Sequence, residues 1–249
     1  MLDPQELSLA LSPFRAPPGS HPREPVEWAR LAGFRSVTLD ATAPGLRPRE
    51  LDRSARRDLA ALLRRLELRL AGVELWIPGE HFTDGGSRDR AMGATLGAID
   101  LVAELATLTQ GDRVLSVFVP PDAPPEVAHS IAQHALRASV RIANHAPTDE
   151  ARSSPLDAGL DPAASLLAAR DPISDAARLG SRLACARLSD ASTISRIEPG
   201  SPGGRLDALA YSVALRGAGY STPVVLDLRA VPSPTQAAAR ARARWKGLG

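Results

Sequence analysis

Two short stretches gather much of what could do chemistry in this 249-residue chain. In "WIPGEHF", Trp76, Glu80 and His81 lie just beyond an apolar run. A carboxylate or imidazole there can serve as general base toward a polyol, with the indole stacked on the ligand's apolar face. In "CARLSD", Cys185 to Asp190, apolar side chains give way to Arg187 and Asp190. His145 closes another apolar run, "VRIANH", and Arg229 follows Asp227 in "PVVLDLR". The same residues also suit plain structural duties at element ends, because nothing in the sequence fixes their mutual geometry. Asp190 can organise the loop "ASTIS" by accepting backbone N–H bonds, and Asp207 can cap a helix. His129 and His134 fall within a helical pattern, as surface or packing residues. Cys185 is the only cysteine, so no internal disulfide forms. Its apolar neighbourhood reads as a buried thiol rather than a nucleophile.

The elements that must position these groups alternate. Eight short apolar runs begin at Leu7, Ser36, Leu70, Arg113, Val140, Pro155, Arg182 and Pro223. Amphipathic helical patterns separate them, the rhythm of βα units around a parallel sheet. First-turn prolines mark several helix starts, and Gly33 and Gly219 stand where helices should stop. Only the fifth connection, "APTDEARSSP", is too short and broken for a full helix. The pattern predicts a single (β/α)8 barrel over 1–249, an α/β fold with its fifth helix shortened or missing. Such barrels carry their sites on the loops after the strands, where the Pro-rich pieces "PFRAPPGSHP", "VPPDAPP" and "SRIEPGSPGG" fall.

Composition narrows the class of function. Hydrophobic residues make up 44% and aromatics only 4%, so aliphatic and alanine side chains must fill the interior. The net charge is +2, and Lys246 is the only lysine among 30 basic residues. The arginines alternate with acids, as in "RPRELDRSARRD", which suits solvated helix faces and argues against nucleic-acid binding. No signal peptide or long apolar run is evident, so a cytoplasmic protein with no membrane partner is expected.

The last third, "GGRLDALAYSVALRGAGYSTPVVLDLR", resembles the closing βα unit of the xylose isomerase-like TIM barrels, which include the sugar phosphate isomerases and epimerases. Gly203, Gly204, Leu206, Asp207, Gly219, Tyr220 and Asp227 fill that family's Gly-rich loop, "vD", "GY" and terminal acid. "GLDPAASLLAARDP" is similar to its sixth strand and loop, "ARLSD" to its "HxxD" strand end, and "EWARLAGFRSVTLD" to its second unit.

The resemblance implies a divalent-metal centre of Glu, Asp, His and Glu at the ends of strands five to eight, a cation that polarises a sugar hydroxyl or carbonyl. Carried over position by position, strand five offers Asn144 and His145 in place of the glutamate. Strand six keeps Asp161, but the following histidine position is Ala164. Strand seven has Arg187 for the histidine and retains Asp190. Strand eight has the shorter Asp227, and the second strand has Thr38 where a glutamate is common. A guanidinium stays protonated and repels a cation, yet it can neutralise Asp161 or Asp227 or grip a carboxylate or phosphate.

These readings predict a sugar-phosphate-isomerase-like barrel that binds a sugar-like or anionic small molecule, with no metal and no other cofactor. Glu80, His81, Asp161, Arg187 and Asp227 are the candidate catalytic residues; Trp76, His145, Asp190 and Arg229 are the candidate ligand-binding ones. The alternative is an active isomerase or epimerase with a rearranged site and a Mn, Mg, Zn or Co ion. The sequence does not specify the oligomeric state.

Overall fold

The computed structural model describes residues 5–14, 23–147 and 154–248. Eight parallel strands close into a barrel. They are β1 (Leu7–Ala10), β2 (Ser36–Asp40), β3 (Arg69–Leu75), β4 (Val114–Val117), β5 (Arg141–Asn144), β6 (Asp157–Leu160), β7 (Leu183–Leu188) and β10 (Val224–Leu226). Leu7, Ser8 and Leu9 pair with Val224, Val225 and Leu226 to shut the ring. Each strand falls in one of the eight apolar runs read from the sequence. A two-stranded antiparallel hairpin, β8 (Asp190–Ala191) with β9 (Arg196–Ile197), follows β7 and was not evident in the sequence.

The helices are α1 (Glu24–Leu31), α2 (Arg53–Arg65), α3 (Glu80–Thr83), α4 (Arg88–Thr109), α5 (Pro125–Ala138), α6 (Pro162–Leu167), α7 (Pro172–Leu179), α8 (Ala208–Gly217) and α9 (Pro234–Lys246). Asp52, Asp171 and Asp207 cap α2, α7 and α8 by accepting first-turn N–H bonds, each worth about 1 kcal/mol. Gly33 and Gly219 adopt left-handed φ of 82° and 77° just past α1 and α8. The expected loss of the fifth helix falls partly on residues 148–153, outside the described residues.

By length and composition alone α4 is long and apolar enough to cross a bilayer. Its buried face, which includes Thr95, Ile99, Val102 and Leu105, instead packs on β3 beside α2 and α5.

Leucine and valine on the outer face of the strands pack beneath the helices, while small residues (Ala10, Ala143, Ala184, Cys185, Val225) make a separate cluster. Two irregularities then aim charged side chains inward. Between Val37 and Thr38 the register of β2 on β3 skips one residue, Ala71, just before Gly72. Gly72 has φ 148°, and a Cβ there would meet the Val114 carbonyl oxygen at 2.8 Å. A second skip lies between Ala158 and Gly159, opposite β7. Bulges of this kind re-aim the residues that follow; Glu74 follows the first and Arg187 the second.

Candidate functional site

Arg187 is fully buried and heads the fully buried side chains by volume. Strands β7 and β3 lie four places apart around the ring of eight, so they face each other across the lumen. Arg187 spans that distance: its Nη2 donates to Glu74 Oε2 at 2.8 Å, and its Nη1 lies 3.1 Å from Asp227 Oδ2. Small lumen residues leave room for so long a side chain. The other Glu74 oxygen accepts the Ser12 backbone N–H at 3.3 Å. Breaking such a buried pair by removing one partner costs about 3–5 kcal/mol, because the remaining charge is stranded.

Nearer the mouth, Arg229 donates to both oxygens of Asp227, at 2.5 to 3.0 Å, and reaches Asp161 Oδ2 at 3.3 Å. Arg196, on β9, bonds to Asp161 Oδ2 and approaches Asp227 Oδ2 at 3.5 Å. Ser189 Oγ and the Ala164 N–H both donate to Asp161 Oδ1, so Asp161 also caps α6. Three guanidiniums thus interleave with three carboxylates in a closed, charge-balanced cluster. Arg187, Arg229 and Arg196 hold the buried Asp227 carboxyl well below the usual carboxylate range, against its desolvation. Desolvation opposes the charge on Arg187, but Glu74 and Asp227 outweigh it and push its pKa further up.

Trp76 and His145 wall this cluster. The Arg229 and Arg187 guanidinium carbons sit 3.8 and 4.7 Å from the Trp76 ring centroid, in cation–π contact. Arg229 thus occupies a face of the ring that the sequence offered as a stacking surface for a ligand. His145 meets Trp76 edge-on at 5.4 Å, and its Nε2 lies 3.2 Å from Ser116 Oγ and 3.5 Å from Arg187 Nε. The imidazole rests on Gly159, where any Cβ would collide with the ring. Burial, reinforced by Arg187 and Arg229, keeps its pKa well below the ordinary value, so the ring is neutral.

The remaining candidates lie elsewhere. Glu80 and His81 sit exposed on α3, and among the described residues neither bonds to a member of the cluster. The structure therefore does not bring this pair together with Asp161, Arg187 and Asp227. Asp190 accepts N–H bonds from Ala191, Gly200, Arg205 and Leu206 at 2.7 to 3.3 Å. All its acceptor capacity goes into tying the hairpin to the Gly-rich loop. Asn144 exchanges two bonds with the Val119 backbone, and Thr38 is buried with a hydroxyl that has no partner among the described residues. Cys185 is buried, which pushes its thiol pKa up.

Sequence reasoning missed Glu74 and Arg196. The signal for Glu74 was a lone carboxylate inside an apolar strand, "AGVEL", which must find a cation once buried. Arg196 had no such signal, since it stands in a polar loop among many arginines. Among the described residues no three His, Cys, Asp or Glu side chains are grouped so as to hold a metal ion.

The fold itself is shared with solved structures. A xylose isomerase domain protein from Alicyclobacillus acidocaldarius subsp. acidocaldarius is 18% identical, with 98% of each chain covered and a TM-score of 0.70. The IOLI protein with a binding zinc atom gives 12%, 98% of each chain and 0.71. D-psicose 3-epimerase with D-tagatose from Clostridium cellulolyticum H10 gives 13%, 98% of this chain, 99% of the other and 0.73. The chain therefore has the fold of the xylose isomerase-like TIM barrels. No protein-family model matches it, and no curated protein matches it in sequence.

Proposed function

We propose that this barrel binds a sugar-like or anionic small molecule at the C-terminal mouth and does so without the divalent-metal centre that the fold family implies. The observation that carries the reading is the position of Arg187, a buried guanidinium locked between Glu74 and Asp227. The residues present do not fit a divalent cation. Asp161 and Asp227 already spend their oxygens on Arg196 and Arg229, so a divalent cation would have to displace guanidiniums that cannot deprotonate and would then be left beside it. Among the described residues His145 is the imidazole that contacts the cluster.

In this reading Arg187 is a positioning residue that fixes Asp227 and Glu74 in the lumen. Arg196 and Arg229, each partly open to solvent, face an incoming ligand. Asp161 orients both. Neutral His145 provides a hydrogen bond at the back of the site. The protein acts in the cytoplasm on a small molecule, with neither nucleic acid nor membrane as partner. Barrels of this shape include sugar epimerases, and one neighbour binds zinc.

Calorimetry with D-tagatose and with D-fructose 6-phosphate, in EDTA and then in Mn2+, tests the reading. Binding of either compound that is unchanged by EDTA is expected. Binding or isomerase turnover that appears only with the metal would overturn it in favour of a rearranged, metal-dependent isomerase or epimerase.

A further inference from the structure

Hydrogen bonding at the mouth is one-sided. Four buried nitrogens there have no hydrogen-bond partner among the described residues: Trp76 Nε1, His145 Nδ1, Arg187 Nη1 and Arg196 Nη1. Trp76 Nε1 and the two guanidinium nitrogens can only donate. His145 Nδ1 is a donor as well, because Arg187 Nε–H points at Nε2 and must be accepted there, which leaves the ring proton on Nδ1. Arg187 Nη1 and Arg196 Nη1 both crowd Asp227 Oδ2, at 3.1 and 3.5 Å, where Arg229 Nη2 already bonds at 2.5 Å.

The carboxylate oxygens of the cluster, by contrast, are all engaged, and the other polar atoms beside it without a partner among the described residues are the Ser12 and Thr38 hydroxyls, which can donate as well as accept. Both oxygens of Glu74, Asp161 and Asp227 have partners. What the site lacks is acceptor oxygen. Buried polar groups in native proteins are overwhelmingly satisfied, and a set left open at a mouth marks where a ligand completes it. A cationic or amine ligand would add donors to a surplus of donors. A neutral polyol would bring donors and acceptors in equal measure.

We propose that the mouth is an oxyanion site: the carboxylate or phosphate group of a small ligand is bound by Trp76 Nε1–H, His145 Nδ1–H and the free edge of Arg196, beside Arg229. The inference rests on the metal-free reading above and narrows it from "sugar-like or anionic" to an anion held by named donors. Arg196 is the specificity-determining residue, because it arrives on the β8–β9 hairpin and is the only one of the three cluster arginines outside the barrel strands and their immediate ends.

Calorimetry in EDTA with inorganic phosphate, D-gluconate and uncharged D-fructose tests it, on the full chain and on two variants. Phosphate, gluconate or both should bind, and fructose should not; which anion binds tells the two oxyanion types apart. Trp76→Phe keeps the ring and removes one donor, so affinity for the anion should fall several-fold, and Arg196→Gln should lower it about tenfold or more. Should Arg196→Gln fail to fold, the Trp76→Phe result alone decides. Fructose binding without either anion would overturn the oxyanion site and leave the metal-free sugar pocket standing. Binding of every probe only after Mn2+ is added would overturn both. No binding of any probe, or anion affinity indifferent to both variants, would overturn this inference.

Discussion

Glu74 on β3 and Glu80 on α3 lie six residues apart, yet they meet opposite fates. Glu74 points into the lumen after a bulge and is fully buried on Arg187; Glu80 stands exposed on a short helix beside His81. The exposed pair has the residue types of an acid–base site without the setting. The buried glutamate sits in an apolar strand and anchors Arg187, which crosses the barrel. Place in the pleat, more than residue type, decides which carboxylate takes part in the site.

The contrast can be broken most forcefully at Arg187. Arg187→Ala strands Glu74 and Asp227 in the lumen, and a loss of about 3–5 kcal/mol in urea-unfolding free energy is expected; a change under 1 kcal/mol would show the strut to be idle. Asp190→Ala should cost less, about 1–3 kcal/mol, by leaving the N–H groups of the hairpin and Gly-rich loop unpaired.

Proton linkage sharpens the same boundary. The folded-state pKa of His145 is depressed by burial and by Arg187 and Arg229, so the unfolded chain takes up a proton that the native state refuses. Stability should therefore be full above the unfolded value near 6.5 and fall as pH drops through it, by about 1 kcal/mol between pH 7 and pH 5.5. His145→Asn should flatten that slope in urea midpoints measured across the range. For Asp227 the folded pKa is depressed as well, so its contribution holds above the unfolded carboxylate pKa near 4 and is lost as the solution becomes more acidic. Smallest of all, Glu80→Gln and His81→Ala on the exposed side should each stay within about 0.5 kcal/mol of the parent, and neither should change ligand affinity at the mouth.

Much of this architecture was legible beforehand. The eight apolar runs and the helix-stopping Gly33 and Gly219 mark the barrel because local pattern and chain reversal are encoded locally. Asp161, Arg187, Asp227 and Arg229 were legible as strand-end charges, and the structure gathers all four. Their pairing was not, since it depends on which strands face across the lumen and on two one-residue bulges. Arg187 was expected to neutralise Asp161 or Asp227; it pairs with Asp227 and also with the unforeseen Glu74, while Asp161 falls to Arg196 and Arg229. The β8–β9 hairpin escaped notice because two-residue strands leave no periodic signal. Glu80 and His81 drew attention by type alone, which says nothing of orientation.

In the metal-free reading, a guanidinium of this barrel stands where the fold family's metal would be held. Elemental analysis of protein purified without chelator should find Mn, Mg, Zn and Co each far below one equivalent per chain. One equivalent of any of them, removed by Asp161→Ala or Asp227→Ala and bound again by the parent protein, would contradict it.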